Sequence, residues 1–331
     1  MNNDIYMDIN KKSTAGFQVQ YRTYLQLVIL LLVCLGSGTK LFAQQDPMYN
    51  QYIFNAYTIN AAEAGTRNYG TVSTLYRWQW VGVDGAPNTG SVGVETGFGK
   101  GWGVGLNAIS DRIGPAENQT VNLSLGYHLS LSRKIKMGLG INGVSNLQRV
   151  NLERLRYLSD LDDPLLSNSL NKFNPNVGGG LIFYSQSTFL GISMPRFIEY
   201  KLNDSAESDI AGLDQLRHLF VYFGHSFDVA HHLKFKPSIL AKAVTGAPLE
   251  FDLNGVISFY DILDLGANYR SGDGLGLLLG LTIRERVVLN YAYEIPLTEL
   301  RYATIQTHEV GLRYRFGRAH FEKIQSPRFF N

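Results

Sequence analysis

The chain has 331 residues, of which 18% are charged and 45% apolar, with 34 Gly, 19 Tyr and 18 Phe. An average soluble domain carries about 25% charged residues, so this chain is poor in surface charge, while a mean hydropathy of −0.08 is too polar for a bundle of membrane helices. Its 30 basic and 28 acidic side chains argue against a nucleic-acid binder, and low charge with glycine and aromatic enrichment suits a β-protein in an apolar solvent.

The first 24 residues hold Lys11, Lys12 and Arg22, Leu25 to Leu35 is an apolar run, and Gly36, Ser37 and Gly38 lead to Ala43. Basic, then apolar, then small is the layout of a secretory signal peptide, here residues 1–43. The apolar run is well short of the roughly 20 residues a spanning helix needs. Cleavage after Ala43 removes Lys11, Lys12, Arg22 and Lys40 with Asp4 and Asp8, leaving 288 residues with 26 basic and 26 acidic side chains. Cys34 goes with the signal, and Val33 before it is not the small residue a lipidation site wants. The mature chain then has no thiol, which excludes disulfides, thiolate nucleophiles and Cys-based metal sites.

Residues 44–68 read as an arm on the periplasmic side, rich in Tyr, Phe, Asn and Gln. Such an arm suits plugging a lumen, binding a partner, or packing against the lumen wall. Period two then runs through the chain: Val121, Leu123, Leu125, Tyr127, Leu129 and Leu131 alternate with polar or small residues, as do Leu289, Tyr291, Tyr293 and Ile295. Segments of nine to twelve residues exceed the usual soluble strand and match a tilted membrane strand. Such segments fall near 70–80, 89–98, 101–110, 119–131, 135–146, 175–185, 188–194, 217–228, 232–244, 249–260, 263–271, 274–283, 286–295 and 305–316. Their even number predicts an all-β fold, a transmembrane antiparallel outer-membrane β-barrel of about 14 strands over 69–316, with a tail at 317–331.

The connections alternate long and short for most of the chain. Asp111 to Asn118, Leu147 to Asn174 and Pro195 to Leu216 are read as long loops outside the cell, and Gly99-Lys100, Ser132 to Lys134 and Gln186-Ser187 as periplasmic turns. Gly99, Gly101, Gly103 and Gly105 imitate a phosphate loop, but spacing by two places them on one strand face with no helix following. His231 and His232, adjacent in sequence, would point to opposite faces of a strand and do not read as a metal pair; they read as a short periplasmic turn. Arg77, Glu95, Asp252, Arg270, Glu294, Glu309, Arg313 and Arg315 fall opposite the apolar faces and are lumen-facing candidates. No nucleophile and base sit in a recognisable context, so no catalytic, cofactor or metal site is assigned and the chain is not read as an enzyme.

Gln44-Gln45-Asp46-Pro47-Met48-Tyr49-Asn50-Gln51-Tyr52-Ile53-Phe54-Asn55 resembles the opening of the PorP/SprF family of type IX secretion system membrane proteins of Bacteroidetes. The resemblance continues through Tyr76-Arg77-Trp78-Gln79-Trp80, Gly85-Ala86-Pro87-Asn88-Thr89, Asp111-Arg112-Ile113-Gly114-Pro115, Asp163-Pro164, Pro175-Asn176-Val177-Gly178, Gly191 to Pro195, Arg217-His218, Lys236-Pro237-Ser238, Gly246-Ala247-Pro248, Tyr269-Arg270 and His308-Glu309. It departs at Asn60-Ala61-Ala62-Glu63-Ala64-Gly65, where the family usually has Asn-Pro-Ala-Tyr-Ala-Gly, and in the tail after Gly317. The resemblance implies a non-enzymatic protein of the cell outer membrane, bathed in its lipid, that supports secretion or surface attachment of large adhesin-type proteins, some used in gliding. Its partners would be the type IX C-terminal domain of such a protein and the periplasmic secretion components. Asp46, Pro47, Tyr49, Gln51, Phe54, Asn55, Asp111, Gly114, Pro115, Asp163 and Pro164 are the partner-binding candidates. A passive porin and a purely structural barrel are the alternatives.

Overall fold

The structure, a computed structural model, describes residues 55–67, 69–151, 169–200, 215–302 and 306–317. The expected signal peptide, Asp46, Pro47, Tyr49, Gln51, Phe54, Asp163, Pro164 and the tail beyond Gly317 lie outside the described residues. The strands are β1 (Gly70–Trp78), β2 (Asn88–Gly97), β3 (Trp102–Ile113), β4 (Ala116–Ser130), β5 (Lys136–Val150), β6 (Leu170–Tyr184), β7 (Thr188–Met194) and β8 (His218–His225). They continue with β9 (Phe227–Ala230), β10 (Leu233–Val244), β11 (Glu250–Phe259), β12 (Leu263–Arg270), β13 (Gly274–Ile283), β14 (Val287–Pro296) and β15 (Thr307–Phe316). β8 and β9 flank Ser226 and hold one register against β10, with Gly224 facing Ser238 and Phe227 facing Phe235, so together they are a single strand. Each strand pairs antiparallel with its neighbours in sequence, and β1 pairs with β15, which closes a barrel of 14 strands. Closure leaves no sheet edge for lipid to meet, the condition for strands to cross a bilayer.

The two rims differ. Gly70 pairs with Phe316, so the first strand begins and the last strand ends at the same rim. That rim also carries the connections 98–101, 131–135, 185–187, 231–232, 260–262 and 284–286, all short turns. The opposite rim carries the long connections 79–87, 151–169, 195–217 and 297–306, together with the short ones at 114–115, 245–249 and 271–273. Side chains alternate through the wall: Ile141 is 66% exposed on the outer face, while Asn142 beside it is 8% exposed on the inner. Aromatic pairs stand on the outer face near both rims, Trp102 with Tyr127 (centroids 4.7 Å apart) at the short-turn rim and Tyr76 with Trp78 (4.3 Å) at the long-loop rim. Amphipathic rings at those heights are what the two membrane interfaces select.

One expected loop is strand instead. Between Asp111 and Asn118 the chain stays paired through Ile113 and Ala116 and reverses in the two residues Gly114-Pro115, with Gly114 at φ +54°, a backbone region that favours glycine. β5 and β6 likewise extend through Leu147 and Asn174, each read from sequence as loop. The physical reason is height. β4, β5 and β6 are 15 residues long, against about 9–11 needed to cross, so their upper turns stand clear of lipid and carry polar outer residues. Arg112, Glu117, Arg149 and Asn171 form one such row in direct register across β3 to β6. His231 and His232 form a short turn at the short-turn rim, with rings 3.9 Å apart.

Candidate functional site

The segment ahead of β1 enters the barrel. Residues 55–67 contain two single 3-10 turns, Ala56–Thr58 and Ala61–Glu63, the second capped by Asn60, whose Oδ1 accepts from the Ala62 N–H at 2.9 Å. Tyr57, Asn60, Ala61, Ala62, Glu63 and Ala64 are buried, Ala62 and Ala64 completely. A segment this short has no core of its own, so its polar groups must be met by the wall. His128 Nε2 lies 2.8 Å from the Ala64 carbonyl, and because a carbonyl only accepts, Nε2 carries the proton; the Tyr184 hydroxyl is 3.1 Å from Nδ1. Ser193 donates to the Ile59 carbonyl at 2.7 Å, and Asn60 Nδ2 donates to the Leu181 carbonyl at 3.2 Å. Tyr222 ties two arm residues together, its hydroxyl accepting from Asn60 Nδ2 at 2.9 Å and donating to Glu63 Oε1 at 2.6 Å. Arg67 is ion-paired with Glu95 of β2.

The arm fits because the wall beneath it lacks side chains. Gly97, Gly103, Gly126, Gly140 and Gly180, one on each of β2 to β6, are directly opposite one another in successive strand pairs and form a single row, which Ser193 of β7 continues. A Cβ at Gly103 would collide with the backbone of Ala64 and Gly65, and one at Gly140 with the backbone of Ala61 and Ala62. One at Gly126 would stand 2.5 Å from the Ala64 carbonyl oxygen, and one at Gly180 would strike the Asn60 amide. A second step in the trench, Gly93 and Gly105, takes the Tyr57 ring. Gly65 is at φ +80°, so the arm also needs glycine where it meets Gly103. Burial holds the Tyr57 phenol above its ordinary value of 10.0. The hexapeptide Asn60 to Gly65, which departs from the family pattern, is the part of the arm that lies along the row.

The opposite wall is charged. Arg77 is ion-paired with Glu309 and, through Nη2, with Glu294 at 3.0 Å. Arg270 Nη2 and Nε lie 2.8 and 3.0 Å from Asp252 Oδ2, and its Nη1 lies 3.4 Å from Asp273 and 3.9 Å from Glu294. Glu309, Arg77, Glu294, Arg270 and Asp252 thus alternate in sign across β15, β1, β14, β12 and β11. Lys236 is paired with Asp264 at 3.4 Å and Lys242 with Glu250 at 2.7 Å. Among the described residues the buried charges are Arg67, Arg77, Lys236, Lys242, Arg270, Arg313 and Arg315 against Glu63, Glu95, Asp111, Asp252, Asp264, Glu294 and Glu309, an even balance of sign. Opposed charges in a low-dielectric wall hold one another in place, and breaking a pair costs more than the pair contributes.

All eight lumen-facing candidates are buried, on the side away from lipid. The partner-binding candidates are scattered. Asn55 is buried beside Ser73, and Asp111 is buried in β3, its carboxylate accepting from Thr89 at 2.6 Å. Gly114 and Pro115 cap the β3–β4 hairpin at the long-loop rim. Tyr222, His128, Ser193 and the glycine row were not singled out from sequence. The signal for the row was present as glycines at alternate positions on β3, but their common height becomes visible only once strand register is known. The arrangement immobilises a segment of the chain inside the barrel and holds charges in fixed pairs. Among the described residues no three His, Cys, Asp or Glu side chains form a metal-holding group.

A family model described as type IX secretion system membrane protein PorP/SprF matches residues 41–314. No curated protein matches the chain. Among solved structures, the CymD monoaromatic hydrocarbon channel is 11% identical with a TM-score of 0.47, covering 85% of this chain and 95% of its own. The Ralstonia pickettii toluene transporter TbuX is 11% identical with a TM-score of 0.46 (83% and 95% covered), and a Pseudomonas aeruginosa FadL homologue 10% identical with 0.45 (85% and 96%).

Proposed function

Because the chain belongs to the PorP/SprF family of type IX secretion system membrane proteins and is a barrel of the outer membrane, we propose that it acts as a closed anchoring subunit. In this reading it supports the secretion and surface attachment of adhesin-like proteins through their C-terminal domain and does not conduct solutes. The observation that carries it is the arm in its glycine trench, since a diffusion porin needs an unobstructed lumen. The long-loop rim then faces outward and offers the Gly114-Pro115 hairpin, the tall wall of β3 to β6 and the connections 151–169 and 195–217 to the exported protein. The short-turn rim and the arm face the periplasmic secretion components. The test is deletion followed by surface proteomics. One or a few large proteins should leave the cell surface while general type IX export continues, and alanine substitutions in 151–169 should do the same without unfolding the barrel. An unchanged surface proteome together with steady conductance of the purified barrel would replace this reading with a porin.

A further inference from the structure

The outer face of the tall wall carries a cavity near its top. About 600 Å³ of space lies among Pro115, Glu117, Leu147, Arg149, Asn151 and Asn171. Leu147 and Phe173, directly opposite one another, are the last apolar outward residues of β5 and β6, and Arg149 and Asn171 are the next outward pair. The cavity therefore begins where the hydrocarbon ends. Glu117 is ion-paired on its far side with Arg112 at 3.6 Å and accepts from Gln119 Nε2 at 2.9 Å. Arg149, on the near side of Glu117 in direct register, has no ion pair among the described residues. The row thus sets two cations against one carboxylate, and the guanidinium left over lines the cavity.

Below the cavity the same strand leaves a groove. Between Ile141 and Leu147 the outward residues of β5 are Gly143 and Ser145, and a Cβ at Gly143 would meet nothing within 4 Å. Leu123 and Val177 flank Gly143 in direct register, and Val121 and Pro175 flank Ser145. The flanking strands are roughly 10 Å apart, two strand spacings. Leu123, Val177 and Ile141 are each more than half exposed, so they stand as ridges around the bare floor. We infer that groove and cavity together bind one phosphate-bearing lipid of the leaflet around the long-loop rim. Its acyl chain lies along Gly143 and Ser145, and its phosphate accepts from the forked donors of Arg149 and from the Asn171 amide. A docked peptide would meet Arg149 as well, but it would have no use for a groove inside the hydrocarbon that leads to it. The site needs only the outer-membrane location and does not depend on the secretion reading.

The test is native mass spectrometry of the full mature barrel in detergent with three probes. They are dipalmitoyl phosphatidic acid, dipalmitoylglycerol with the same tails and no phosphate, and glycerol phosphate with no tails. Phosphatidic acid should add as a single saturable adduct, and each of the other two should bind about tenfold more weakly or less. Arg149→Gln should weaken phosphatidic acid by about tenfold, and Gly143→Leu, which fills the groove floor, should weaken it too. Glu117→Gln removes the one carboxylate of the row and should tighten it. Arg133→Gln, at the opposite rim, should change nothing. Retention of the gel shift between boiled and unboiled samples shows that each variant is still a barrel. No saturable adduct on the wild type would overturn the inference, and so would binding that survives both Arg149→Gln and Gly143→Leu. Dipalmitoylglycerol bound as tightly as phosphatidic acid would remove the phosphate from the site, and glycerol phosphate bound as tightly would remove the lipid; either result overturns it.

Discussion

Replacing Gly140 with alanine should unseat the arm. The added Cβ falls on the Ala61 carbonyl carbon and the Ala62 nitrogen and Cα, all backbone atoms of a capped turn that cannot rotate away as a side chain could. Overpacking of this kind costs about 1–3 kcal/mol, and because the strand is paired on both sides the arm is what gives. At 1.4 kcal/mol per factor of ten, the population with a displaced arm rises about 5-fold to 150-fold. With the chain's one cysteine, Cys34, replaced by serine, a thiol placed by Ala64→Cys, at a position completely buried, reports displacement through its rate of alkylation. The control is Gly143→Ala, three residues along the same strand on the outer face, where a Cβ meets nothing within 4 Å. Alkylation no faster in Gly140→Ala than in Gly143→Ala would refute the claim that the trench seats the arm.

Other outcomes follow from the same geometry. Arg77→Met leaves Glu309 and Glu294 buried without their shared cation and should cost about 3–5 kcal/mol, read as a lower temperature at which boiled and unboiled gel bands converge; adding Glu309→Gln should recover part of it. A small epitope inserted near Ser205 should be reachable by antibody on intact cells and one near Arg133 should not, and the reverse pattern would invert the topology. Alkaline pH should loosen the arm, because burial raises the Tyr57 phenol. The neutral phenol is favoured in the seated arm, so seating is complete below pH 10.0 and is lost as pH rises through the raised value. Tyr57→Phe should flatten that dependence in the same alkylation assay.

The barrel was legible because its outer face must be apolar at every second residue, whatever the partner. The segment 274–283 is β13 to the residue, and 263–271 differs from β12 by one. The reading failed where that constraint ended. Asp111 and Asn118 look like loop residues only because the outer positions beside them, Arg112 and Glu117, stand above the lipid and are free to be polar. The interior was less legible for a different reason. Period two tells which face a residue occupies but not its height, so Gly103, Gly126, Gly140 and Gly180, scattered over nearly eighty positions, could not be seen as one row. Charge pairing suffered likewise. Arg77 and Glu309 could each be assigned to the lumen, yet their meeting depends on closure of the ring between the first and last strands.

The division of the lumen into a glycine wall and a charged wall determines where the arm can lie. Along Asn60 to Gly65 the arm presents backbone and methyl groups, with Ala61, Ala62, Ala64 and Gly65 offering no side chain longer than a methyl. Backbone needs donors and acceptors at close range, which the trench supplies by removing Cβ atoms from the wall and placing His128, Ser193 and Tyr222 at its margins. Laid against β11 to β15 instead, the same segment would cover Arg270, Glu294 and Asp252 with methyl groups, taking solvent from charges without giving them partners. The arm is also continuous with Tyr69 and Gly70 of β1, so a displaced arm stays at high local concentration and returns to the only wall that accepts it. Seating is therefore specific because small meets small, and a bulkier residue on either side of the contact should act on the arm in the same way.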